Sequence, residues 1–260
     1  MGTVSHLQPQ NAPIHVDESG PPDAPVVVLI HGSLDRSAGM ARLARVLAGR
    51  SRVVRYDRRG YGRSWPHAGP FTVDDQVEDL VGVLQGRPAV LVGHSFGGQV
   101  ALATAATLGS QIVGVSTYET PLSWLEWWPR DSAGAAGVHA GPELAAERFL
   151  TRLVGRDTWD RLPEHTKEAR RREGRALVGE LGALREGPRW NPEDVGCRVM
   201  CGVGEQARDH HRRATQWLVA HLPHSEFVTV PGAGHGAPNS HPVEFCELLV
   251  LPHLPNVAER

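Results

Sequence analysis

Ser95 stands in Gly93-His94-Ser95-Phe96-Gly97, directly after an apolar run and directly before an Ala-rich helical stretch. Gly-x-Ser-x-Gly between a strand and a helix is the pattern of a nucleophile elbow. The turn is tight, and side chains at Gly93 and Gly97 would press on neighbouring backbone. Such a turn lifts the Ser95 hydroxyl clear at the C-terminal edge of a sheet. The helix start beneath it offers partial positive charge to an oxyanion. The chemistry this implies is nucleophilic attack on an acyl carbon. The competing reading is a Gly-rich turn with an incidental serine, and the strand and helix on either side argue against it.

A serine nucleophile needs a base. His235 lies in Gly232-Ala233-Gly234-His235-Gly236, a loop after the last strand-like run. A neutral imidazole there can take the Ser95 proton and return it to the leaving group. It is one of 14 histidines, so the competing reading is a surface loop residue. His94, inside the elbow, is expected to pack there. A carboxylate must orient the imidazole and stabilise its cation. Glu119, in Thr117-Tyr118-Glu119-Thr120-Pro121, stands where the strand after the elbow ends. A carboxylate at the C-terminal end of a strand points into the active-site face. Glu205, immediately after Gly204, is the alternative acid, and Asp209 a further one. The bland role for Glu119 is a loop carboxylate paired with an arginine.

The elements that must position these residues alternate along the chain. Val26 to Ile30 is a continuous β-branched run, as in strands buried on both faces of a parallel sheet. Ala38 to Ala48 has helical spacing, and Arg52 to Tyr56 reads as a strand. Thr72 is a suitable N-cap for a helix through Leu84. Ala89 to Val92 and Ile112 to Tyr118 are strands around the Ser95–Leu108 helix. From Pro121 to about Trp190 the strand signal disappears and charged amphipathic helices follow. Arg198 to Val203 and Phe227 to Val230 resume the strands, with helices over 207–221 and 242–251. Repeated βα units predict an α/β fold with a mostly parallel central sheet flanked by helices. The expected organisation is a core over 1–120 and 191–260, with a helical cap inserted over 121–190. His15 to Glu18, followed by Gly20-Pro21-Pro22, is expected to form a short edge hairpin arm.

Four motifs in this order resemble the α/β-hydrolase superfamily over nearly the whole chain: His31-Gly32-Ser33, Asp57-Arg58-Arg59-Gly60-Tyr61-Gly62-Arg63-Ser64, the elbow, and Gly232 to Gly236. The resemblance implies an oxyanion hole of backbone N–H groups, those of Phe96 and Ser33, with Leu34 a near competitor. It leaves Asp57 to Ser64 a structural turn. It also exposes a departure. Many members carry an Asp three residues after the Gly closing the next-to-last strand, and here Ala207 stands there. Other members, haloalkane dehalogenases among them, place the acid after the elbow's following strand, which is Glu119. Ser rather than Asp at 95 disfavours the superfamily's dehalogenases and epoxide hydrolases.

Composition closes other routes. Of 27 basic residues only Lys167 is a lysine. It lies in Thr-Lys-Glu, which excludes a Walker A loop, and its charge-rich surroundings argue against a Schiff-base lysine. A net charge of −2 gives no basic excess for nucleic acid. The longest apolar run falls far short of the roughly 20 residues that span a bilayer. Met1 to Gln8 carries no signal-peptide pattern, and the sparse cysteines Cys197, Cys201 and Cys246 read as reduced thiols. The expectation is a cytoplasmic monomer or homodimer without cofactor or metal. Gly202-Val203-Gly204-Glu205-Gln206-Ala207 fits a dinucleotide fingerprint but is a lone match in the wrong place. Cys197 and Cys201 lack a second pair for zinc.

Leu34, Trp124, Trp127 and Trp128 are candidates for an apolar substrate wall, against the plain alternative of packing. The ten basic and seven acidic residues of 152–189 read as a solvated helix face. The expected function is a serine hydrolase cleaving a carboxylic ester, lactone or thioester of a small-molecule substrate through an acyl-enzyme. C–C hydrolysis, acyl transfer, lyase chemistry or non-catalytic ligand binding could use the same scaffold. Near-zero net charge fits an uncharged or apolar substrate.

Overall fold

The computed structural model describes residues 11–130 and 141–255. The N-terminal stretch Met1 to Gln8 lies outside them. Seven strands form one sheet: β1 (Val16–Ser19), β2 (Val26–Ile30), β3 (Arg52–Tyr56), β4 (Ala89–His94), β5 (Ile112–Tyr118), β6 (Arg198–Gly204) and β7 (Ser225–Val230). Their order is β1-β3-β2-β4-β5-β6-β7, and only β1 runs antiparallel, on β3. The expected edge arm is thus a single strand rather than a hairpin.

Period-two alternation sorts the strand residues onto two faces. Val28, Ile30, Val54 and Leu91 pack under helices α2 (Val73–Leu84) and α3 (Phe96–Leu108). Val27, Leu29, Val53 and Val92 pack on α1 (Ala41–Leu47) and the C-terminal turns. With both faces covered, the strands need no polar alternation, which is why they read as apolar runs. Thr72 does cap α2: its hydroxyl accepts the Asp75 N–H at 3.3 Å, and the Asp75 carboxylate accepts the Thr72 N–H at 3.0 Å. The 38–48 helix is shorter than its spacing suggests, because a 3₁₀ turn occupies Ser37–Met40. The predicted 242–251 helix breaks into a short α turn, α10 (Pro242–Phe245), then π and 3₁₀ turns.

Between β5 and β6 the described residues hold α4 (Pro142–Val154), α5 (Arg156–Asp160), α6 (Glu164–Arg172) and α7 (Gly174–Arg185). This stretch is not simply a solvated face. Glu173 and Glu180 are buried. Glu173 accepts Arg36 at 2.7 Å and the Gly62 N–H at 2.9 Å. Glu180 accepts Arg58 at 2.7 Å and the Tyr61 hydroxyl at 2.8 Å. The Asp57–Ser64 turn is therefore both a floor and an anchor for α7. Helix α8 (Asp209–His221) follows β6, and α9 (Ala237–Ser240) follows the His235 loop. Among the described residues no helix is long and apolar enough to cross a membrane.

Candidate active site

The elbow is built as its glycines demand. Ser95 has φ +52° and ψ −124°, a backbone that L residues rarely adopt. A methyl at Gly93 would run into the Gly97 carbonyl, and one at Gly97 into that of Ile30. The strain is held from outside: the Ser95 N–H donates to the Tyr118 carbonyl at 2.8 Å. Phe96 opens α3, where the first N–H groups have no intrahelical acceptor. His94 Nε2–H donates to the His235 carbonyl at 2.8 Å, so the elbow grips the loop that carries His235.

His235 Nδ1 lies 2.7 Å from Glu119 Oε2. Glu119 is buried, with φ +47°, and its Oε1 accepts the Gly204 N–H at 3.1 Å. Both carboxylate oxygens are thus fixed, one by the ring and one by the end of β6. Glu205 does something else. It is exposed, and its carboxylate accepts the Gly232 N–H at 2.7 Å, bracing the start of the His235 loop without reaching the ring.

The third part is the His31-Gly32-Ser33 loop. His31 is fully buried; its Nδ1–H donates to Gly32 O at 2.7 Å and its Nε2 accepts the Arg58 N–H at 2.9 Å. These partners specify the neutral Nδ1–H tautomer. The Arg58 guanidinium donates to His31 O at 2.9 Å and Gly32 O at 3.0 Å, and lies 4.9 Å from the Phe96 ring centre. Leu34 has φ +52° and is buried in one cluster with Tyr61, Phe71, Phe149 and Leu181, and is not itself among the residues that line the cavity. Asp57 accepts the N–H groups of Ser37 at 2.7 Å and Arg63 at 2.8 Å, a purely local use.

A cavity of about 180 Å³ joins these parts, lined by Ser33, Ser95, Glu119 and His235. All three tryptophans of 124–128 pack against the core cluster, and of them Trp128 alone also lines the cavity. Trp127 instead carries the Arg213 guanidinium, 4.3 Å from its ring centre. Phe149, Leu153, Leu181 and Leu184 complete the wall from α4 and α7. Sequence reasoning does not find them, since nothing local distinguishes a cavity face from a packing face.

His211 is also missed. Its ring stacks on His235 at 5.0 Å, and its Nε2 is 4.0 Å from Glu119 Oε2. Glu119, His211 and His235 offer donor atoms within 4.8 Å of one another. A metal there would have to replace the His235–Glu119 hydrogen bond.

Burial pushes His94 down to about 3, helped by His235, and pushes His31 and His211 well below the usual imidazole value. All three are neutral in the folded protein. Below pH about 6.5 the unfolded chain takes up protons that these rings refuse, so stability falls as pH falls. Urea unfolding should therefore give a lower free energy at pH 5.5 than at pH 7.5. A flat profile would contradict the assignment of three neutral rings.

The model of the alpha/beta hydrolase family matches residues 27–248. The chain belongs to the alpha/beta hydrolase family. This alpha/beta hydrolase is 30% identical over 242 residues to the pimeloyl-[acyl-carrier protein] methyl ester esterase of Chromobacterium violaceum, covering 86% of this chain and 92% of that one. It is 37% identical to the lipase LipV of Mycobacterium tuberculosis, but over 105 residues, 39% of this chain and 40% of the relative. In fold it matches an esterase from Thermogutta terrifontis with a TM-score of 0.70, 23% identity and 90% of both chains covered. The likeness to that esterase is one of fold alone. The chain is thus a hydrolase-family enzyme with esterase and lipase relatives.

Proposed function

We propose that this enzyme is a serine hydrolase that cleaves a carboxylic ester, lactone or thioester. The observation that carries the reading is the 2.7 Å contact of His235 Nδ1 with Glu119, in the cavity that Ser95 lines. With Nδ1–H held by the carboxylate, Nε2 is the basic nitrogen that takes the Ser95 proton. The Ser95 oxygen attacks the acyl carbon, and the N–H groups of Phe96 and Ser33 receive the oxyanion. His235 then protonates the leaving group and activates water to release the acid. The described residues of 121–190 act as a cap that shapes the acyl pocket, and 131–140 lie outside them. The methyl ester esterase among the relatives supports the choice of an ester.

The test is covalent labelling. A fluorophosphonate should label the folded wild type, and Ser95→Ala should abolish labelling. A folded wild type that resists the probe would sink the reading.

A further inference from the structure

The cavity carries a charge that the proposed ester cleavage does not use. Arg185 ends α7 and is half-buried; Arg208 directly precedes α8 and is exposed. Both line the same cavity as Ser95 and His235, Arg185 from the inserted helices and Arg208 from the sheet edge. Among the described residues neither guanidinium has a carboxylate within ion-pair distance. Other arginines of the inserted helices are matched: Arg170 with Glu173 at 3.3 Å, and Arg171 with Glu164 at 2.7 Å. Among the described residues the only acid lining the cavity is Glu119, whose oxygens are already held by His235 and the Gly204 N–H. The open charge in the cavity is therefore positive, although the chain's net charge is −2.

We propose that the substrate is an acyl compound bearing a second, free carboxylate, bound between Arg185 and Arg208. The proposal rests on the serine-hydrolase reading. Guanidinium forks match a carboxylate in shape and bind it with charge-assisted hydrogen bonds. A half-buried guanidinium without an acid partner gains most from such a ligand, because its own hydration is already reduced. Phe149, Leu153, Leu181 and Leu184 line the same cavity and offer apolar surface to the chain joining the reacting carbonyl to the anionic end. The amphipathic wall thus suits a monoester of a dicarboxylic acid better than a simple fatty ester. Near-zero net charge does not argue against a charged substrate, because net charge says nothing about where charges sit.

The experiment compares two matched series of methyl esters over several chain lengths. One series carries a terminal carboxylate and the other the neutral primary amide in its place. The expected ratio of kcat/KM, anionic over neutral, is about 10–100 at the best length, the range of hydrogen bonds to charged groups. In Arg185→Gln/Arg208→Gln the ratio should fall towards 1, chiefly through KM, and added salt should lower it in the wild type. Arg→Lys at both positions should keep part of it. A wild-type ratio near or below 1 overturns the proposal, as does fluorophosphonate labelling without turnover of either series. Absence of labelling instead overturns the hydrolase reading beneath it.

Discussion

Glu119→Gln is expected to lower kcat by about 10⁴-fold on any ester the enzyme turns over, the scale of a lost triad carboxylate. The reason lies in the two contacts of that side chain. Oε1 accepts the Gly204 N–H and Oε2 faces His235 Nδ1. In the variant the amide oxygen stays on the Gly204 N–H, because an NH₂ there would meet a donor. The amide NH₂ then faces Nδ1. The ring must turn Nδ1 into an acceptor and carry its proton on Nε2, where it cannot take one from Ser95. Both the tautomer and the stabilisation of the imidazolium are lost together. Glu205→Gln is expected to stay within about tenfold, since Glu205 braces the loop through Gly232 rather than touching the ring. The measurement is kcat for both variants, with melting temperatures to establish folding. A large loss in Glu205→Gln alone would reverse the assignment of the acid.

What the sequence discloses here is what is local. The elbow is legible because its glycine spacing answers to contacts a few residues away, Gly93 against Gly97 among them. The strands are legible because burial on both faces leaves unbroken apolar runs. Glu119 is conspicuous because β5 ends beside it and Pro121 follows. Contacts set by strand order leave no such mark. His211 reaches Glu119 only because β6 pairs with β5 and α8 follows β6. Read alone, His210-His211 offers merely two adjacent imidazoles. The aromatic residues mislead for a related reason. Trp124 and Trp127 are as apolar as Trp128, and all three pack against the core, yet of the three Trp128 alone also meets the cavity. Arg58 shows the same limit: its sequence neighbours suggest a floor turn, while its partner Glu180 lies on α7.

That pair carries the second large effect. Glu180→Gln is expected to destabilise the fold by about 3–5 kcal/mol, the cost of leaving one partner of a buried ion pair uncompensated. Arg58 and Glu180 are both fully buried. The Arg58 guanidinium donates to Glu180, Gln76, His31 O and Gly32 O, so no part of it can turn to water when the charge opposite disappears. At roughly 2–4 °C per kcal/mol for a chain of this size, the melting temperature should drop by about 6–20 °C. Tyr61 also loses its carboxylate acceptor, which weakens the seat of α7 on the core. The pairwise term is separable. Arg58→Met with Glu180→Met should cost less than the two single changes together, with a coupling of about 0.5–3 kcal/mol by urea unfolding. Coupling near zero would mean that the charges act independently. The same change should reach the active site, because Arg58 holds the two carbonyls that set the Ser33 N–H. In Glu180→Gln, kcat should therefore fall even at temperatures where the protein is fully folded, while a variant that merely loosens α7 should raise KM alone.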